Sequence, residues 1–167
     1  MHFQGESYWK RYGAQARQMP PIRKMLDMKI PVGLGTDGTR VSSYNPWPSL
    51  YWAATGKTAG GMATWQARDV PSRYQALRLM TTGSAWMSGE EKLKGTIRRG
   101  QYADFMVLPK DYFTMESEGI KRLESLLTVV NGTVVYGAGP YSPLNPPLPP
   151  VSPAWSPVAA YGGYQDR

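Results

Sequence analysis

The sequence predicts an α/β protein, and three observations carry that expectation. Ile22 to Lys29 places Ile22, Met25 and Leu26 on one helical face and runs directly into a short apolar segment, Ile30 to Gly35; helix followed at once by strand is half of a βαβ unit. That segment closes in Gly35-Thr36-Asp37-Gly38, a glycine-bracketed turn offering one carboxylate at a strand's C-terminal lip, where α/β proteins place reactive groups. Finally, Asn131-Gly132 separates two β-branched runs. This is the strongest short-range hairpin signal, because both turn residues must tolerate positive φ.

The elements follow in order. To about Gln18 the chain is polar and aromatic with no sustained period, and no element is predicted there. Pro20 and Pro21 lead into the helix at 22–29, since a proline at a helix start forfeits no hydrogen bond. The strand at 30–35 is followed by a loop from Gly38 to Asn45. Pro46 to Thr55 reads as a short aromatic helix, broken by Gly56, Gly60 and Gly61. Ser72-Arg73-Tyr74-Gln75 is a capping box opening a helix with Tyr74, Leu77 and Met80 at helical spacing. Thr81 or Thr82 is expected to cap a second short helix through Ala85 and Trp86 to Met87.

From Gly89 the periodicity shifts. Gly95 to Ile97 and Asp104 to Leu108 are predicted as short strands around a turn at 98–100, and Glu116 to Glu124 as a short helix. The hairpin strands are Leu126–Val130 and Thr133–Tyr136. Beyond Gly139, prolines are dense enough to exclude a helix interior or a central strand, which predicts an extended tail.

Bulk properties narrow the function classes. The 167 residues are enough for one domain with a modest core. The formal net charge is +7, but the 19 Lys and Arg are scattered, the densest groups being Lys92 with Lys94, Arg98 with Arg99, and Lys121 with Arg122. A solvated basic surface is therefore expected, with no nucleic-acid partner. The absence of cysteine removes disulfides, thiolate metal sites and cysteine nucleophiles. No apolar run approaches the roughly 18–20 residues that span a bilayer, so no membrane partner is expected. The first residues lack the basic head and apolar centre of a signal peptide, which makes a cytoplasmic location the default expectation.

Few side chains are placed for chemistry. Asp37 can bind a divalent metal or accept a proton from an attacking water; its structural alternative is an Asx-turn within Thr-Asp-Gly. Arg40, Ser42, Tyr44 and Asn45 are candidates to line a substrate pocket, since they occupy the loop after the predicted strand. The one histidine, His2, lies near the chain end, so no complete metal site and no serine triad are expected. Glu90 and Glu91 read as a solvated turn. Gly33-Leu34-Gly35 and Gly56-Lys57-Thr58 lack full phosphate-loop spacing and read as turn glycines. Trp47, Tyr51, Trp52 and Trp65 are either packing residues or a stacking surface for a ligand. Pro143 to Pro146 and Pro147 to Pro150 have PxxP spacing.

Three blocks together resemble the C-terminal part of the amidohydrolase superfamily, in the branch that holds formamide deformylase-like metal-dependent hydrolases. They are Ile30 to Asp37, Ala76 to Ala85, and Glu90 to Leu108; the hairpin Val129 to Tyr136 is consistent with them, and the likeness covers roughly 8–137. The resemblance implies the last β/α element of a TIM-type barrel plus part of a small β-sandwich. Residues 1–88 would then be barrel and following helices, 89–138 sandwich strands and hairpin, and 139–167 the proline-rich tail. It implies hydrolysis of carbon–nitrogen bonds, other than peptide bonds, in linear or cyclic amides. It also implies a divalent metal, with zinc expected, in the complete enzyme. Asp37 is the one position matching that metal site; His2 matches no ligand motif. Alone, the chain is expected to bind no metal and to be inactive, and to be completed by a missing N-terminal part or by self-association. The competing expectation is a non-enzymatic basic interaction module using the aromatic residues and the proline tail.

Overall fold

The computed structural model describes residues 3–38 and 44–147. The architecture is α/β, with a helical part followed by a small antiparallel sheet. Helix α1 (Gly5–Tyr12) continues into a 3-10 turn at Gly13–Gln18, both in the stretch for which the sequence predicts no element. Gly5 is what lets α1 dock: a β-carbon there would meet the methyls of Thr58 and Thr64 at 2.7 Å. Helix α2 (Ile22–Asp27) forms where expected and buries Ile22.

The predicted strand at 30–35 is not a strand. The segment is extended, but a strand is made by a hydrogen-bonded neighbour, and none lies beside it among the described residues. Its backbone is held instead by a helix. Leu34 N donates to Leu79 O at 2.9 Å, and the Ser84 hydroxyl donates to Leu34 O at 2.9 Å.

Helix α3 (Pro46–Thr55) is the centre of the fold. Asn45 caps it by accepting from Trp47 N at 3.0 Å, and Gly56, at φ 67°, ends it in the left-handed conformation. Trp47, Leu50, Tyr51, Trp52 and Ala53 are all buried, packed with Ile22, Trp65, Ala76, Leu79, Tyr112, Ile120 and Leu123 in one cluster. Trp52 and Trp65 meet at 4.4 Å between ring centroids. These aromatics are packing residues, not a stacking surface.

Helix α4 (Arg73–Arg78) opens with the expected capping box: Ser72 Oγ accepts from Gln75 N, and Gln75 accepts from Ser72 N. The expected break at Thr81 or Thr82 is absent. Both hydroxyls bond back into the preceding turn, Thr81 to Leu77 O (2.9 Å) and Thr82 to Arg78 O (3.1 Å). The helix widens into a π turn at Leu79–Gly83 and continues as α5 (Ser84–Met87). Side chains that bond to the i−4 carbonyl satisfy the helix instead of starting a new one.

The sheet has order β1 (Phe105–Val107), β2 (Leu127–Val130), β3 (Thr133–Gly137), all antiparallel. Phe105 pairs with Val129 and Val107 with Leu127, while a bulge at Thr128/Val129 shifts the register against β3. Asn131 and Gly132 take φ 48° and 77°, as the hairpin signal requires. Residues 95–97 form no strand, and β1 pairs across the sheet with β2, not with them. The short helix expected at 116–124 forms as a 3-10 helix over Ser117–Arg122 and packs Ile120 against α3.

The tail does not simply extend. Gly139–Leu144 is a 3-10 turn containing Pro143, whose fixed φ suits that conformation, and Asn145 Oδ1 accepts from Gly137 N at 3.0 Å. The Pro143–Pro146 spacing therefore does not form an open polyproline segment. The second PxxP segment reaches beyond the described residues.

Candidate functional site

Asp37 is reached through a well-held piece of backbone. The π turn brings Leu79 O within reach of Leu34 N, and Ser84 bridges the carbonyls of Leu79 (3.1 Å) and Leu34 (2.9 Å). The approach is close enough that Gly33 and Gly83 are both required. A β-carbon on Gly33 would meet Met87 Cγ at 2.8 Å, and one on Gly83 would drive into Val32 O. Three residues beyond Leu34, Asp37 adopts φ 52°, a left-handed conformation that aspartate tolerates in turns. It is exposed, at the tip of an extended segment and not at a strand terminus.

The loop after Asp37 folds back at once. A β-carbon on Gly38 would lie 2.5 Å from Tyr44 Cα, so the two ends of the loop meet. Tyr44 is thereby placed near Asp37 in the fold and is 65% exposed. Asn45 is occupied as the cap of α3, which gives it a structural role. Arg40 and Ser42, the other pocket candidates, lie outside the described residues, as does His2.

Two open grooves lie on the surface. One, of about 860 Å³, is walled by α2, the start of the 30–32 segment and the α4–α5 helix; it includes Lys29, Ile30, Tyr74, Arg78 and Trp86 but not Asp37. The second, of about 820 Å³, is bounded by residues 15–24 and 65–69. Glu90 pairs with Lys94 at 2.5 Å in a solvated turn. Among the described residues no group of three His, Cys, Asp or Glu side chains is placed to hold a metal ion.

A strongly organised polar cluster lies elsewhere. Tyr51 OH, fully buried, donates to Glu118 Oε1 at 2.5 Å, while Lys121 pairs with Glu118 Oε2 at 2.7 Å and lies over the Tyr51 ring at 4.7 Å. Burial, then the Glu118 hydrogen bond and charge, push the Tyr51 hydroxyl up to about 12. Lys121 and Tyr51 hold the Glu118 carboxyl below its ordinary value. This cluster clamps the 3-10 turn at Ser117–Arg122 onto α3.

Sequence reasoning offers Asp37 as a candidate but does not point to Gly83 and Ser84, which hold the backbone before it. Gly83 and Ser84 enter the sequence reading only within the block Ala76 to Ala85.

Comparison with known proteins identifies the class. Residues 1–136 match the model of the amidohydrolase family, and the chain belongs to that family. It is similar to an N-substituted formamide deformylase from Arthrobacter pascens, 27% identical over 128 residues, which are 77% of this chain and 23% of that protein. It is also similar to YtcJ, a candidate amidohydrolase of Bacillus subtilis (strain 168), 43% identical over 63 residues, 38% of this chain and 12% of that protein. The chain thus spans less than a quarter of the length of these relatives. No solved structure shows a significant match. Amidohydrolases generally use divalent metals, but the described residues here do not by themselves fit one, since a lone exposed carboxylate lacks the further ligands an ion requires. Among the described residues, no helix is long and apolar enough to cross a membrane.

Proposed function

We propose that this chain is the C-terminal part of an amidohydrolase that cleaves carbon–nitrogen bonds, other than peptide bonds, in linear or cyclic amides, and that Asp37 is its contribution to the chemistry. The observation that carries this reading is the family match running through residues 1–136. Its support from the relatives is that one is named for deformylating N-substituted formamides and that this chain corresponds to 23% of that protein. In this reading the 30–35 segment is the last strand of a TIM-type barrel, extended here because its neighbours are supplied by other sequence. Residues 1–88 are the C-terminal portion of the barrel and the helices that follow it, 89–138 supply part of a sandwich, and 139–167 form the tail. The divalent metal, with zinc the expectation, takes its other ligands from outside this chain.

What Asp37 does follows from its chemistry. An exposed carboxylate on a backbone anchored at Leu34 can accept a proton from a water as that water attacks an amide carbonyl carbon. The proton then passes to the leaving nitrogen, the carbon–nitrogen bond breaks, and an acid and an amine are released. In this reading Tyr44, whose backbone lies against Gly38, lines the substrate side.

The test is Asp37→Asn in the protein assembled with the upstream sequence. Loss of a general base of this kind lowers the rate roughly 10²–10⁴-fold. Amide hydrolysis is measured beside the thermal unfolding midpoint, which this exposed substitution should leave in place. An Asp37→Asn enzyme as fast as the parent removes Asp37 from the mechanism. The 167-residue chain alone, with or without zinc, should show no hydrolysis.

The reading as a non-enzymatic interaction module loses its main supports. The aromatics it invokes are buried around α3, and the first PxxP segment is folded into a 3-10 turn.

A further inference from the structure

The groove of about 820 Å³ between residues 15–24 and 65–69 includes neither Asp37 nor any of the pocket candidates, so it is independent of the amide chemistry proposed above. Its lining is electrostatically lopsided. Arg17, Arg23, Lys24 and Arg68 face it with one carboxylate, Asp69. The ion pairs among the described residues are Arg23–Asp27, Lys94–Glu90 and Lys121–Glu118, so Lys24 and Arg68 have no carboxylate partner there.

The walls are also braced. Trp65 is buried, and its indole N–H donates to Met19 O at 3.3 Å, joining the two sides of the groove. The Arg17 guanidinium stacks over the Trp9 ring at 4.6 Å, and Arg23 is steadied by Asp27 at 3.2 Å and Gln75 at 3.4 Å. Gln15, Gln18 and Gln66 add carboxamide donors along the same surface.

Like charges gathered along one groove repel each other, and an anion that joins them converts that repulsion into attraction. Guanidinium forks match phosphate oxygens two at a time, and several cations spread over one groove favour a ligand whose charge is spread too. Asp69 opposes any anion, a cost that a multiply charged ligand outweighs more readily than a monoanion. We propose that this groove binds a compact polyanion of the di- or triphosphate class, held by Arg17, Lys24 and Arg68.

The test is a titration of the ¹⁵N-labelled 167-residue chain with sodium tripolyphosphate at fixed ionic strength, followed by amide and indole chemical shifts, with citrate in a parallel arm. Saturable shifts confined to the Trp65 indole and residues 15–24 and 65–69 are expected. The double substitution Lys24→Glu with Arg68→Glu should weaken binding by roughly tenfold or more, while Lys92→Glu, outside the groove, leaves it unchanged. Should the charge-reversed variant lose its folded spectrum, Lys24→Gln with Arg68→Gln carries the same test. Absent or scattered shifts overturn the proposal. So does equal weakening by Lys92→Glu, or citrate binding as tightly as tripolyphosphate.

Discussion

Asp37 acts, in the proposed reading, only as well as the backbone behind it is held, and two small residues do the holding. Gly83 admits Val32 O to a distance that no β-carbon allows, and Ser84 ties Leu34 O to the helix. Gly83→Ala therefore sets two effects against each other. Alanine in a helix gains about 0.5–1 kcal/mol over glycine, while overpacking a tight contact costs about 1–3 kcal/mol. The clash is with backbone, which cannot rotate away, so the cost wins and urea unfolding should show net destabilisation. A stabilised Gly83→Ala would mean that the 30–35 segment does not lie against this helix.

At the scale of elements, the signals that worked are those whose partners lie a few residues away. The Ser72–Gln75 capping box and the Asn131-Gly132 turn are both local, and both form. Ser72→Ala removes the acceptor for Gln75 N and should cost about 1 kcal/mol, read as a lower urea midpoint with an unchanged slope. No loss on this substitution would place the start of α4 elsewhere. Signals that needed a distant partner misled. Gly95 to Ile97 has strand-like composition but no neighbour to pair with among the described residues. Thr81 and Thr82 misled for a local reason: their hydroxyls turn back to Leu77 O and Arg78 O, four residues before each, and cap nothing.

Across the whole molecule, α3 is the hub, and its polar anchor makes stability depend on pH. Tyr51 is raised to about 12 by burial and then by Glu118, and Tyr112 to about 12 by burial, which Arg73 partly offsets. In the unfolded chain both hydroxyls ionise near the ordinary tyrosine value of about 10. A raised folded value means that the stabilisation is complete below pH about 10 and is lost as pH climbs toward 12. The thermal midpoint should fall across that window, and the fall should be smaller in Tyr51→Phe, where only Tyr112 remains. An equal fall in Tyr51→Phe would remove Tyr51 from the effect.

The sequence by itself determined the helix starting at Ile22 (expected over 22–29, formed over 22–27), the helix at 46–55, the capping box, the hairpin and the family, because each rests on adjacent residues or on a pattern of residue types. It also singled out Asp37 through its turn chemistry. Only the tertiary structure decided that 30–35 stays extended without a sheet, that Trp47, Tyr51, Trp52 and Trp65 face inward, and that α4 and α5 form one widened helix. The physical reason is common to all three. Strand pairing, burial and a π turn that grips a neighbouring backbone are set by atoms distant in sequence, and no local spacing encodes where those atoms arrive.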